Sequence, residues 1–307
     1  MRPRWLPFLG LSVLAILLFS ACGARPAYRR VSLGDGPVAS HLDAAAPRSA
    51  PLRIAVAAVL SPKETLVSYR SLLTYMGDSL DRPVELVQRQ TYAETNDLLR
   101  SGEVELAFVC GGAFVQGEHD FGMELLVLPQ VRGQTTYESY IIVPQDSPAQ
   151  SLADLRGKVF AFTDPLSNSG RLVPSYMLLS MGELPEKFFA RSIYTYGHDN
   201  SIKAVAARLV DGAAVDSLVY EYTIAKNSQY LASTRIIYRS PEYGNPPVVV
   251  NPKLDPMLKD QLRNLLLNLD QSEGGRAVLL DLLVDRFLPP DPKAYDGIRE
   301  IAAAVRR

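Results

Sequence analysis

From residue 51 onward, short apolar segments alternate with amphipathic segments, and this alternation constrains the fold more than any other feature. The apolar run Leu52–Val59 predicts a buried strand, and the spacing of the apolar residues after it predicts a helix. A strand at Val84–Val87, a helix at Tyr92–Arg100 and a strand at Val104–Val109 complete a βαβαβ order. This order predicts a parallel sheet with helices on its faces.

The same alternation repeats in the second half of the chain. Further strands are predicted at Tyr140–Val143, Val159–Phe162, Ser192–Thr195, Ala213–Val215, Ile236–Tyr238 and Val248–Val250. The end of the chain is predicted to be helical, and Asp255 followed by Pro256 marks the start of one of these helices. Two α/β units joined by crossing strands predict a bilobed protein whose ligand lies in a cleft, beyond the carboxyl ends of the strands.

The first 50 residues differ from this pattern. Arg2 and Arg4 precede an uncharged apolar stretch at residues 5–21, and the ending Phe-Ser-Ala-Cys resembles a bacterial lipobox. We therefore expect residues 1–22 to be a lipoprotein signal peptide with lipid attached at Cys22, although an uncleaved membrane anchor is an alternative. Residues 23–50, rich in Ala, Pro and Ser, are expected to form a flexible tether. Either reading places the remainder outside the cytoplasmic membrane.

Composition and motifs exclude several functional classes. The chain has 32 Lys and Arg against 33 Asp and Glu, so it lacks the excess positive charge with which proteins bind the phosphate backbone of nucleic acids. Two cysteines cannot form a four-cysteine zinc site, and the three histidines are far apart in the sequence. We find no phosphate-binding loop, no hydrolase nucleophile elbow and no zinc-protease motif. Cys110 could be a nucleophile, but no residue in the sequence is evident as its base, so we expect it to be a small buried residue. We predict no catalytic activity, no cofactor and no metal.

The most informative segment follows the predicted strand Val159–Phe162. Ser167, Asn168, Ser169 and Gly170 offer hydroxyls, an amide and backbone N–H groups at the point where a helix begins. The first N–H groups of a helix have no partner within the helix and carry the positive end of its dipole. This turn therefore predicts an oxyanion site. A simple helix cap is the alternative interpretation.

Two further polar residues follow predicted strands. His198 lies in Gly-His-Asp-Asn-Ser, in which Asp199 or Asn200 is expected to cap the next helix. Asp216 follows the strand Ala213–Val215 and either faces the cleft or caps the helix after it. Without more information, His198 is equally compatible with a satisfied surface residue.

Taken together, these segments resemble the phosphonate-binding family of periplasmic solute-binding proteins over about residues 52 to 300. The markers are TYAETNDLLRSGEVELAFVCGGAFV, YESYIIV, DPLSNSGRLVP, GHDNSIKAV with GAAVDS, and YRSPEYGNPPVVVNPKLDP. The resemblance implies a bilobed α/β protein of the type II periplasmic-binding-protein fold, with two mixed sheets flanked by helices and a hinge. It further implies that residues 51–139 and 240–307 form one lobe and residues 140–239 the other.

The resemblance also implies the ligand-binding residues. The turn would bind a phosphorus oxyanion through Ser167, Asn168, Ser169 and Gly170, with Tyr92 and Tyr137 lining the cleft and His198 and Asp216 adding polar contacts. The chain departs from the family pattern where Asn168 occupies the middle of the turn and Arg171 follows the glycine. This departure leaves open which phosphorus oxyanion is bound and whether Arg171 contacts it.

A physical argument narrows the ligand class. A phosphorus oxyanion can carry a proton near neutral pH, and a carboxylate such as Asp216 can accept a hydrogen bond from P–OH but would repel sulfate. If Asp216 faces the anion, phosphate, phosphite or a phosphonate is therefore expected in preference to a sulfonate. In an aminoalkyl phosphonate the same carboxylate could pair with the ammonium group instead. The family implies delivery to an ABC permease from a lipid-anchored, extracytoplasmic position. A ligand-sensing module that reports to a sensor kinase is the alternative.

Overall fold

The structure is a computed structural model, and it describes residues 50–306. The predicted signal peptide at residues 1–22, its lipidated Cys22, and the predicted tether apart from Ala50 lie outside the described residues. No helix within residues 50–306 combines the length and the apolar character needed to cross a bilayer.

The described residues alternate strands and helices, as the sequence predicts. The strands are β1 (Leu52–Val56), β2 (Val84–Val87), β3 (Leu106–Phe108), β4 (Glu124–Gln130), β5 (Thr136–Tyr137), β6 (Ser139–Pro144), β7 (Val159–Phe162), β8 (Arg191–Tyr194), β9 (Gly212–Asp216), β10 (Thr234–Arg239), β11 (Tyr243–Gly244), β12 (Val248–Val250) and β13 (Arg286–Leu288). The α-helices are α1 (Pro62–Leu80), α2 (Tyr92–Ser101), α3 (Gly111–Phe121), α4 (Val173–Ser180), α5 (Pro185–Phe188), α6 (His198–Ala206), α7 (Ser217–Lys226), α8 (Gln229–Ser233), α9 (Pro256–Leu267), α10 (Glu273–Leu282) and α11 (Asp296–Val305).

The first sheet has six strands in the order β13-β4-β12-β3-β1-β2. β1 pairs in parallel with β2 and β3, which is the pairing expected from two successive βαβ units. β12 is antiparallel to both β3 and β4, so a strand from late in the chain completes the sheet. We call the elements built on this sheet the first lobe.

The second sheet has five strands in the order β10-β6-β9-β7-β8. β7 is parallel to β8 and β9, whereas β6 is antiparallel to β9 and β10. The carboxyl ends of β7 and β9 and the beginning of β6 therefore meet at one edge. We call the elements built on this sheet the second lobe, and the predicted lobe boundaries at residues 139/140 and 239/240 stay a prediction.

The chain crosses between the two sheets twice. The crossing segments pair through the short antiparallel ribbon of β5 with β11, in which Tyr137 faces Tyr243 and Thr136 faces Gly244. A two-strand crossing of this kind can bend with few broken contacts, so it is the natural position of a hinge.

Each sheet buries its own apolar core. Leu72 and Met76 of α1 and Leu262 and Leu266 of α9 are fully buried in the core of the first sheet. On the second sheet, Phe160, Phe162, Phe188 and Phe189 pack together, with the rings of Phe160 and Phe189 stacked at 4.5 Å. Burial of such large apolar surfaces dominates the stability of each lobe. Both sheets can thus hold their strand ends rigidly on either side of a cleft.

The predicted start of α9 is confirmed. The Asp255 carboxylate accepts the Leu258 N–H at 2.9 Å, and Pro256 occupies the first turn. The predicted strand Leu52–Val59 is shorter than expected, because β1 ends at Val56. The residues after Val56 form a loop that reaches the second lobe, where the Val59 carbonyl accepts the N–H of His198 at 2.9 Å.

Candidate functional site

The polar turn lies at the end of β7 and is wholly buried. Ser167 caps it, since its Oγ accepts the Gly170 N–H at 3.0 Å. Residues Asn168–Leu172 form a single π-helical turn that leads into α4. A Cβ at Gly170 would lie 2.5 Å from Thr163 Oγ1, so only glycine allows this close packing. No acceptor among the described residues pairs with the Ser169 N–H, which is therefore available to a ligand.

Unpaired buried polar atoms occur in this turn and on residues that hydrogen-bond to its neighbours Thr163 and Asp164. Seven buried side-chain polar atoms of the described residues lack a hydrogen-bond partner, and four of them belong to predicted site residues: Tyr92 Oη, Asn168 Oδ1, Ser169 Oγ and His198 Nε2. Buried polar groups are nearly always paired in folded proteins. An excess of unpaired groups in one place therefore marks the position where the polar atoms of a ligand are expected.

The two predicted tyrosines come from outside the second lobe. Tyr92 is the first residue of α2, and Tyr137 lies on the crossing strand β5. The Tyr137 hydroxyl accepts the Asn168 Nδ2–H at 3.0 Å, which leaves its own proton free to donate. Burial raises the pKa of the Tyr92 hydroxyl well above 10, and nearby Cys110 and Asp164 add to the rise. Both hydroxyls therefore remain protonated donors.

His198 is held as a neutral donor. Its Nδ1 accepts the backbone N–H of Asp216 at 3.0 Å, so the ring proton resides on Nε2, which is the unpaired atom. Burial lowers the pKa of this histidine to about 3. The expected cap from Asp199 or Asn200 is wrong, because α6 begins at His198 after Gly197 without a side-chain cap. Asp199 instead accepts the Ser61 N–H of the first lobe at 2.9 Å.

Asp216 caps α7, which is one of the two roles that its sequence position allowed, and its contact with a ligand stays a prediction. Its Oδ1 caps α7 by accepting the N–H groups of Leu218 at 2.8 Å and Val219 at 3.2 Å. Burial raises the pKa of this carboxyl to about 7. The charge of the same carboxyl is a further cause of the raised pKa of the Tyr92 and Tyr137 hydroxyls, after burial. The carboxyl can accept a proton from a ligand without leaving its cap.

The first lobe closes directly over the turn. The Asn168 N–H lies 3.4 Å from Cys110 Sγ, at the start of α3. A Cβ at Gly112 would lie 2.3 Å from the Leu166 carbonyl oxygen, so a glycine is required where α3 meets the turn. Cys110 is buried, as the sequence predicts, and burial raises the pKa of its thiol. The unpaired atoms are thus closed to solvent.

Arg171 faces away from the turn. Its guanidinium lies 4.6 Å above the Phe162 ring, and its Nε donates to the Tyr194 hydroxyl at 2.9 Å. Glu186 lies 3.5 Å away on the solvent side, and Ser175 accepts a further hydrogen bond. The site therefore presents neutral donors and a carboxyl to its ligand, with Arg171 bound elsewhere.

A cavity of about 410 Å³ lies between the lobes. Val59, Phe108 and Val109 line it from the first lobe, and Asp216, Leu218 and Val219 line it from the second. Within residues 50–306 no group of three or more His, Cys, Asp or Glu side chains could hold a metal ion. Of the predicted site residues, Asp216 alone lines this cavity.

Several residues of this arrangement were not predicted from the sequence. Asp164, Thr163 and Ser139 all support the turn: Ser139 Oγ donates to the Ser169 carbonyl at 2.7 Å, and Thr163 Oγ1 lies 3.1 Å from His198 Nδ1. Asp164 follows β7 and precedes a proline, a position typical of a turn-forming carboxylate, and this signal could have identified it.

Two α/β lobes, a two-strand crossing and a buried polar cluster between the sheets define a type II periplasmic binding protein. Residues 54–295 match the family described as the periplasmic phosphonate substrate-binding protein of ABC transporters. The chain belongs to this family, whose members are substrate-binding proteins and not enzymes, as predicted.

Individual relatives agree with this assignment. The phosphonates-binding periplasmic protein of Escherichia coli K12 is 30% identical over 151 residues, which are 48% of this chain and 44% of that protein. The match thus spans less than half the length of the E. coli protein. The phosphate-import protein PhnD of Mycolicibacterium smegmatis is 27% identical over 254 residues, 76% of this chain and 79% of its own. PhnD1 of Prochlorococcus marinus in complex with methylphosphonate has a TM-score of 0.76 at 21% identity and covers 83% of this chain and 98% of its own.

Proposed function

We propose that this chain is the extracytoplasmic solute-binding component of an ABC importer and captures phosphonate, phosphite or phosphate between its lobes. The observation that carries the proposal is the cluster of four unpaired buried polar atoms on Tyr92, Asn168, Ser169 and His198. Three of these atoms are donors, and the Ser169 N–H adds a fourth donor. The names of the E. coli and M. smegmatis relatives support the same ligand class.

The chemistry of the cluster favours a phosphorus oxyanion over sulfate. Neutral donors stabilise an anion once water is expelled, so the cluster needs no basic side chain. Asn168 Oδ1 and the Asp216 carboxyl, in contrast, are acceptors. A monoprotonated phosphorus oxyanion satisfies donors and acceptors together, whereas sulfate has no proton to offer the acceptors.

Titration calorimetry of the full chain, purified in detergent, tests this function. We expect at least one of phosphate, phosphite and methylphosphonate to bind with a dissociation constant at or below about 1 μM, equivalent to about −8 kcal/mol. Sulfate should not compete at a hundredfold excess. Absence of binding to all three phosphorus anions would refute the proposal.

Delivery and anchoring complete the proposed role. We propose that the loaded protein docks on an ABC permease and that Cys22 carries the lipid that holds it at the membrane. Uptake of labelled methylphosphonate should fail in a strain that lacks the gene, whereas a sensory role with a sensor kinase would change transcription and leave uptake intact. Mass spectrometry of the N-terminal peptide, with a Cys22→Ser variant as control, tests the lipid.

A further inference from the structure

Asp164 is buried beside the anion turn, and its two carboxylate oxygens have different partners. Oδ1 accepts the Leu166 N–H at 2.8 Å within the second lobe, while Oδ2 accepts the Tyr92 N–H at 3.1 Å. Its backbone carbonyl also accepts the Ser167 N–H at 3.0 Å. One end of this residue therefore shapes the turn, and the other end contacts the first lobe.

The contact on the first lobe is the start of a helix. Thr91 and Glu94 form a capping box at α2, in which the Thr91 hydroxyl accepts the Glu94 N–H. The box leaves the Tyr92 N–H without a partner in its own lobe, and Asp164 supplies one from the second lobe. A carboxylate at a helix N-terminus is favoured by the helix dipole. This bond can form only when the lobes are closed.

Other direct bonds between the lobes, including that of the Asn168 N–H with Cys110 Sγ at 3.4 Å, do not reach the helix that carries Tyr92. The His198 N–H donates to the Val59 carbonyl, and the Ser61 N–H donates to Asp199, both at 2.9 Å. Neither Val59 nor Ser61 carries a predicted ligand contact. Asp164 alone among these acceptors joins the turn that carries Ser167–Gly170 to the helix that carries Tyr92.

We infer that Asp164 is a positioning residue for ligand retention: when the lobes close, it fixes the position of the anion turn relative to Tyr92, without contacting the ligand. This role rests on the proposed function. Because the bond to Tyr92 exists only in the closed form, losing it should speed ligand release and leave ligand capture by the open form unchanged. Burial raises the pKa of Asp164, which is consistent with a carboxylate enclosed between the two lobes.

The substitution Asp164→Asn tests the inference in the full chain in detergent. Asparagine can keep the acceptor for Leu166 but points an NH2 group at the Tyr92 N–H. We expect the dissociation constant for methylphosphonate or phosphate to rise at least tenfold, equivalent to about 1.4 kcal/mol. Stopped-flow measurements should place the change in the dissociation rate. The melting temperature of the ligand-free protein should not change.

Asp199→Asn is the matched control, because it also neutralises a buried carboxylate that accepts a first-lobe N–H, yet asparagine retains that acceptor. Its affinity should stay within about threefold of the wild type. If Asp164→Asn lowers the ligand-free melting temperature, Asp164→Ser keeps an acceptor for Leu166 but cannot reach Tyr92, and it should show the same faster release.

The outcomes separate the two proposals. Wild-type binding together with an unchanged Asp164→Asn affinity, or an equal loss in Asp199→Asn, would overturn the role of Asp164 and leave the proposed function standing. A wild-type protein that binds none of the phosphorus anions would overturn both.

Discussion

Replacing Ser169 by alanine should separate ligand binding from stability. The Ser169 hydroxyl is buried and has no hydrogen-bond partner in the described residues, so its removal breaks no bond of the free protein. A hydroxyl that donates to a charged oxygen contributes about 1.5–3 kcal/mol. At 1.4 kcal/mol per factor of ten, we expect Ser169→Ala to weaken phosphorus-anion binding by roughly ten- to a hundredfold.

The neighbouring serine provides the control. Ser167 Oγ caps the turn by accepting the Gly170 N–H, and the loss of such a cap costs about 0.5–2 kcal/mol of stability. Ser167→Ala should therefore lower the melting temperature of the ligand-free protein, whereas Ser169→Ala should not. Calorimetry with methylphosphonate and thermal unfolding without ligand measure the two effects. Unchanged affinity in Ser169→Ala, or a lower melting temperature for Ser169→Ala than for Ser167→Ala, would refute the reasoning.

Three further substitutions test other parts of the site. Arg171→Ala should destabilise the second lobe by about 0.5–2 kcal/mol, because it loses its position over the Phe162 ring, but should change ligand affinity less than about twofold in calorimetry. Gly112→Ala places a Cβ 2.3 Å from the Leu166 carbonyl, so small-angle scattering should show an extended form even with ligand, and a compact form would contradict this. Asp216→Asn should keep the cap of α7. Burial raises the pKa of Asp216 to about 7, against about 3.9 in the unfolded chain. Between these two values the folded state binds more protons than the unfolded state, so the free energy of unfolding of the wild type should fall relative to that of the variant as pH rises from about 4 to about 7. Urea unfolding across that range measures the difference.

Local pattern predicts best the strands that are short, fully apolar runs, such as β7 and the antiparallel β12. The strand Val159–Phe162 is confirmed at both ends, because an uninterrupted apolar run is bounded by polar turns. The strands β4 and β13 were not predicted. β4 contains Pro129 and pairs with β12 and β13, strands from far along the chain, so no local signal specifies its partner.

Helix α3 shows a different limit of sequence analysis. It begins with Gly111 and Gly112, which are poor helix formers, and the sequence interpretation ended a strand there. The structure explains the second glycine by the approach of the Leu166 carbonyl from the other lobe. The contact between the lobes, and not the helix, therefore requires a glycine at this position, and such a contact cannot be deduced from one segment of the sequence.

For the candidate site, the sequence could identify the polar turn but not the state of each atom. Ser167 and Ser169 look equivalent in the sequence, yet one hydroxyl caps the turn and the other is unpaired. The tautomer of His198 is set by the backbone N–H of Asp216, and that contact depends on how α6 packs against β9. These distinctions depend on how separate segments pack against each other, and the spacing of residues along the chain does not specify that packing.

The enclosure of Tyr92, Ser169 and His198 by both lobes has a kinetic consequence. Under the proposed function, an anion held there would leave only after the two lobes separate. A membrane partner that separates the lobes would then release the ligand without binding the ligand itself. The rate of unloading would be governed by the crossing ribbon of β5 and β11 as much as by the affinity for the anion.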